Sequence, residues 1–191
     1  MGVVTNEDPV KLAVIVASVR PERVGPVVAD WFLGRVAETP GFAATTLDLR
    51  DFDLPVDLRS SAAGEKFAAA IDAADAFVVV TPEYNHGYPA SLKTALDSVK
   101  YEWRGKPVGF VSYGGMAGGL RATEQLRQVV AELHMVSVRT SVGFHRVKKA
   151  FDAHGRTTDA VALDASATML EQVRWWATAA RAIRVEHPYP G

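Results

Sequence analysis

Three short stretches of this sequence gather side chains able to do chemistry. The first, Ala17-Ser18-Val19-Arg20-Pro21-Glu22-Arg23-Val24-Gly25-Pro26, sets a hydroxyl and two guanidinium groups just ahead of an expected helix start. An anion such as phosphate suits it. Free N–H groups and the positive end of a helix dipole favour negative charge there, and arginine adds bidentate charge-assisted hydrogen bonds. Pro26 removes an N–H that had no helical partner in any case. Taken alone, this loop also fits an ordinary strand-to-helix turn with surface arginines. The second stretch, Pro82-Glu83-Tyr84-Asn85-His86-Gly87, holds an acid, an amide and an imidazole. Glu83 and His86 could serve as acid and base, and Ser18 or Ser112 as a nucleophile. No Gly-x-Ser-x-Gly elbow is present, however, and nothing completes a triad. The third stretch, Ser112-Tyr113-Gly114-Gly115-Met116-Ala117-Gly118-Gly119, would let backbone approach a flat ring closely and offer unshielded N–H groups. A flexible turn is its plainer reading. His86, His134, His145, His154 and His187 are scattered without a zinc-binding spacing, so no metal site is expected.

The elements that must position these loops alternate regularly. Leu12–Ala17 is an apolar run expected to form a buried strand, and a helix from about Gly25 carries Val28, Trp31, Phe32 and Val36 on one stripe. A strand near Ala43–Leu49 follows, then a helix with Phe67, Ala70, Ile71 and Ala74 on one face. Ala76–Val80 is the third strand, and Tyr88, Leu92, Leu96 and Val99 recur at helical spacing after it. Pro107–Tyr113 is the fourth strand, Leu126, Val129, Val130 and Leu133 stripe the fourth helix, and a fifth strand falls near Met135–Val142. A last helix from about Asp164 to Arg184 has Met169, Val173, Trp176, Ala180 and Ile183 at core spacing. For Trp176 that spacing favours core packing over ligand stacking. Repeated strand–helix units with near-continuous apolar strands predict an α/β fold, a parallel sheet covered by helices on both faces. For five strands the expected order is 2-1-3-4-5, and the loops after strands 1, 3 and 4 then open onto one edge of the sheet. Those are the three unusual loops.

Composition narrows the function classes. The 191 residues fit one domain, residues 1–191, with short tails at about 1–10 and 186–191. With no cysteine there is no disulfide, thiol nucleophile or iron–sulfur ligation, so redox chemistry would need a bound cofactor. Lys plus Arg number 21 against 22 Asp plus Glu, which gives no electrostatic case for nucleic acid or a membrane surface. No apolar run reaches the roughly 20 residues that span a bilayer. The N-terminus lacks the pattern of a secretory signal, and Asn6 stands where acylation at Gly2 would want a serine or threonine. A cytoplasmic protein is expected.

The run Thr81-Pro82-Glu83-Tyr84-Asn85-His86-Gly87-Tyr88-Pro89-Ala90-Ser91-Leu92-Lys93-Thr94-Ala95-Leu96-Asp97 closely resembles the signature of the NAD(P)H-dependent FMN reductases, flavodoxin-like enzymes that include quinone, azo-dye and chromate reductases. Ser18 and Arg20 match that family's FMN-phosphate residues. The resemblance implies a three-layer flavodoxin-like sandwich and a non-covalent FMN. It places Ser18, Arg20, Arg23, Val24 and Gly25 about the phosphate, with Pro82 through Gly87 and Ser112 through Gly115 beside the ring. NADPH or NADH would be the co-substrate, and a free flavin, quinone or similar small planar molecule the acceptor. Tyr84 and Tyr113 would wall the mouth of the pocket, no side chain would be catalytic, and the assembly would be a homodimer or dimer of dimers. Two other classes stay open: a flavodoxin-type electron carrier, which by resemblance lacks phosphate-loop arginines and is strongly acidic, and a flavin-binding regulatory protein without nicotinamide turnover.

Overall fold

The computed structural model describes residues 8–190; the readings made of Gly2, Asn6 and the first seven residues of the tail lie outside them. Strands β1 (Val10–Val16), β2 (Phe42–Asp48), β3 (Ala76–Pro82) and β4 (Pro107–Tyr113) pair in parallel, in the order β2-β1-β3-β4. β5 (Val136–Ser137) and β6 (Val142–Phe144) both pair with β4 on its outer side. The expected order 2-1-3-4-5 is the observed one.

Side-chain alternation along the strands builds two cores. Leu12, Val14, Val16, Val78, Val80 and Val111 face Phe32 and Val36 of helix α1 (Gly25–Ala37) and Met169 and Val173 of α5 (Ala160–Glu186). Ala13, Ile15, Phe77, Val79, Val108 and Phe110 face the other way. They meet Phe67 and Ile71 of α2 (Ala62–Asp72), Leu92 and Leu96 of α3 (Ala90–Asp97), and Leu126 and Val130 of α4 (Leu120–Glu132). All seven residues of β3 are buried, because this strand has neighbours on both sides and helices on both faces. Full burial of such a side chain contributes roughly 1.5–3 kcal/mol. At Gly109 a Cβ would lie 2.9 Å from Met169 Sδ, so α5 can approach β4 this closely only over a glycine.

Two sequence expectations need correction. The fifth strand is split into two short pieces because side chains take over its backbone groups. Arg127 donates to Ser137 Oγ and to the carbonyls of Val138 and Arg139, and Gln172 Oε1 accepts from Thr140 N. The last helix is buried at Ala162, Ser166, Met169, Leu170, Val173 and Ala177, whereas Trp176 is 41% and Ile183 59% exposed. A 27-residue helix is about 40 Å long and a seven-residue strand about 23 Å. Past Ala177 the helix has outrun the sheet, and Trp176 stacks edge-on against the exposed Trp175 instead of joining the core.

Candidate functional site

The carboxyl ends of β1, β3 and β4 carry the three loops, as parallel order requires. The first leaves β1 after Ala17, whose N–H still donates to Val80 O and whose carbonyl accepts from Ser91 Oγ of α3. α1 then starts at Gly25 with Val24 as its cap residue and no side-chain cap. Its first N–H groups therefore have neither an intrahelical nor a side-chain acceptor. Arg20 lies exposed with its guanidinium 5.6 Å from the centre of the Tyr84 ring, and no carboxylate partner pairs with it among the described residues. Arg23 is differently placed. It binds both oxygens of Asp48 at the end of β2, one at 2.6 Å, and donates to Ser18 O, so it braces the loop against the neighbouring strand. Gly25 is buried, and a Cβ there would come within 2.9 Å of the Tyr113 hydroxyl and 3.2 Å of Val16.

The second loop is a two-residue hairpin. Tyr84 and Gly87 exchange backbone hydrogen bonds of 2.8 and 3.1 Å, and the central residues Asn85 and His86 have φ of 49° and 74°. Positive φ at both central positions is what a type I′ turn needs. Histidine is a strained occupant there, at a cost on the order of 1–3 kcal/mol that the surroundings must offset. α4 supplies the support. Arg121 pairs with the Glu83 carboxylate, its Nη1 lies 2.8 Å from His86 Nε2, and Gln125 one turn later donates to His86 O at 3.0 Å. Arginine can only donate, so His86 Nε2 accepts and the ring proton belongs on Nδ1. Glu83 also accepts from Arg121 N, placing an acid at the first turn of α4.

The third loop turns its first two side chains, Ser112 and Tyr113, inward. Ser112 Oγ donates to Gly118 O at 2.9 Å, and Gly119, at φ 91°, would clash with Ser112 Cβ if it bore a Cβ of its own. Tyr113 is 5% exposed and packs in the core beneath the first loop. Its hydroxyl is buried without a hydrogen-bond partner, and burial pushes its pKa up from the ordinary phenol value. Gly114 and Gly115 reach the rim, with nothing within 4 Å of a Cβ built at Gly115, and Met116 beyond them is exposed.

An uncapped helix start, an unpaired arginine, a glycine-lined rim and an orphaned buried hydroxyl suit a phosphorylated ligand with a flat ring. Over residues 10–149 the sequence matches the NADPH-dependent FMN reductase family. The chain belongs to that family. It is therefore a flavin oxidoreductase with FMN as cofactor and NAD(P)H as co-substrate. An NAD(P)H-dependent FMN reductase of Schizosaccharomyces pombe is 39% identical over 136 residues, 65% of this chain and 68% of that one. Another, from Saccharomyces cerevisiae, is 34% identical over 158 residues, 70% of this chain and 82% of the relative. Among solved structures, the flavoenzyme NAD(P)H:(acceptor) oxidoreductase FerB of Paracoccus denitrificans superimposes with a TM-score of 0.68 at 25% identity, covering 87% of this chain and 97% of that one.

Of the residues singled out from the sequence, Arg20, Tyr84, Asn85, His86, Gly114 and Gly115 share this rim, Ser18 is buried beneath it with its hydroxyl against that of Tyr84, and Pro82 is the buried last residue of β3. Three expectations change. Arg23 is consumed by Asp48, Ser112 by Gly118, and Tyr113 lies under the first loop, so it cannot wall the mouth. Arg121, Gln125 and Asp48 were missed. Arg121 and Gln125 stand four apart on one face of α4, a spacing that pairs them with each other and gives no hint of the hairpin they hold.

Proposed function

We propose that this chain is a cytoplasmic enzyme that passes two electrons from NADPH or NADH, by way of bound FMN, to a small planar acceptor such as a free flavin or a quinone. The observation that carries this reading is the rim itself: the exposed Arg20 and the uncapped start of α1 stand beside Gly114 and Gly115, while the acid and imidazole of the hairpin, Glu83 and His86, are tied to Arg121. FMN, when bound, supplies the hydride chemistry. Arg20 and the first N–H groups of α1 hold the phosphate. The hairpin Pro82–Gly87 and the glycines orient the ring and leave one face open, and Asn85, His86 and Gly115, whose N–H groups have no acceptor among the described residues, offer them to negative charge that develops on it. Glu83 and His86 keep the hairpin in shape and move no proton. Quinone as acceptor is supported by plant relatives, such as the NADPH:quinone oxidoreductase of Arabidopsis thaliana, 34% identical over 121 residues. The active assembly is taken as a homodimer or dimer of dimers, for which the exposed Val19, Val56 and Leu58 offer apolar surface.

Two measurements test this. Mass spectrometry of cofactor released from the purified protein should give FMN, and FAD alone would count against an anion seat sized for one terminal phosphate. Donor and acceptor that take turns on one open face need no ternary complex, so NADPH and quinone varied together should give parallel double-reciprocal lines. Intersecting lines would rule out a shared face.

A further inference from the structure

The segment that follows β6 was not absorbed by the site described above. Residues 144–150 run along the glycine loop and are fastened to it: Gly114 N donates to Phe144 O, Arg146 N to Gly115 O at 2.7 Å, and Val147 N to Gly114 O. His145 Nδ1 lies 2.6 Å from Met116 O. From the other side Phe144 and Phe151 pack against Trp31 of α1, with ring centres 4.9 and 6.3 Å away. Val147 and Ala150 join the same core, which leaves Arg146, Lys148 and Lys149 exposed on a short 3-10 turn, Val147–Lys149. Arg146 is held at φ 46°, a left-handed conformation a side chain rarely adopts, so its direction is set by the fold.

Charge at the rim is unevenly shared. Arg23 and Arg121 each have a carboxylate. Arg146, Lys148 and Lys149 have none among the described residues, and Asp152, the acid closest in sequence, is committed to Arg156. The opposite rim, a groove of about 500 Å³ beside Val19, carries Asp51 and Asp53 against the single cation Arg50. A polyanion lying across the open face would be drawn to the basic side and repelled from the acidic one.

We propose that Arg146, Lys148 and Lys149 form the seat for the 2′-phosphate of NADPH, so that the enzyme prefers NADPH to NADH. Arg146, Lys148 and Lys149 fall within four consecutive positions of a turn that rises only about 2 Å per residue, which crowds three cations without a carboxylate on one exposed segment, and a phosphate dianion would be the acceptor they lack. The inference rests on the proposed function in one respect: the nicotinamide must dock on the open face beside Gly114 and Gly115.

The test compares kcat/KM for NADPH and NADH in the flavin-loaded wild type, in Lys148→Ala/Lys149→Ala, and in the same double variant with Arg146→Asn, asparagine being tolerant of the left-handed backbone. Hydrogen bonds to a charged group should make the wild type favour NADPH by about tenfold or more, falling stepwise toward parity in the two variants. A wild-type preference under about twofold, or a preference that survives all three substitutions, would overturn the seat. Titration calorimetry with adenosine 2′,5′-bisphosphate separates this from failure of the oxidoreductase reading. If neither nucleotide is turned over, binding of the bisphosphate by the wild type and its loss in the triple variant still support the seat, and absence of binding by the wild type overturns it.

Discussion

The hydroxyl of Ser18 and the hydroxyl of Tyr84 lie 2.7 Å apart, joining the loop after β1 to the hairpin after β3. The first loop, where the phosphate is proposed to sit, and the hairpin proposed to face the ring are thus one hydrogen-bonded unit. Tyr84→Phe leaves the ring in place and removes the link. FMN affinity, followed by quenching of flavin fluorescence, should weaken by about 0.5–1.5 kcal/mol, the usual net worth of one hydrogen bond. Unchanged affinity would mean that the two loops act independently.

Arg20 should contribute to phosphate binding directly. Arg20→Ala is expected to cost FMN roughly 1.5–3 kcal/mol, the range for hydrogen bonds to charged groups. Riboflavin, which lacks the phosphate, should be affected far less. Equal losses for both ligands, measured by the same titration, would show that Arg20 works through the fold, for example by its contact with the Tyr84 ring.

Glu83 and His86 are held by Arg121, so their removal should perturb the hairpin without removing an acid or base. Glu83→Gln and His86→Ala should each lower kcat by less than about tenfold, because a dedicated general acid or base is worth 10²–10⁴-fold. A loss near the top of that range, with FMN still bound, would make the pair catalytic.

Lys106 gives a pH signature far from the site. Its Nζ donates to Ile71 O and Asp72 O at the end of α2, each at 2.9 Å, and burial pulls its pKa from 10.5 down to about 8. Below about 8 both folded and unfolded chains carry the proton, and the cost of burying the cation is present in full. Between about 8 and 10.5 the folded chain has released it and the unfolded chain has not, so stability contributed by this residue rises with pH. Relative to Lys106→Met, denaturant midpoints should show the wild type gaining up to roughly 3 kcal/mol across that window. A flat difference would mean the amine titrates normally.

The sheet was legible because β1, β3 and β4 are near-continuous apolar runs, each ending in an unusual loop. Tyr113 could have been placed better from sequence. It stands two residues after Val111 on the same strand, and period-two alternation puts both on the core face. The role of Arg23 could not be read, since its partner Asp48 lies 25 residues away and meets it only because β2 flanks β1. Trp176 misled for a different reason. Helical periodicity continues past Ala177, but nothing in it records where the sheet beneath the helix stops.

The most direct measurement is anaerobic stopped-flow mixing of the flavin-loaded protein with NADPH, observing the visible flavin absorption, followed by addition of a quinone. An oxidoreductase of the proposed kind should lose that absorption within the time of one turnover and regain it when quinone arrives. Absorption that persists with NADPH and with NADH, while FMN remains bound, would contradict nicotinamide turnover and leave a flavin-binding protein without it.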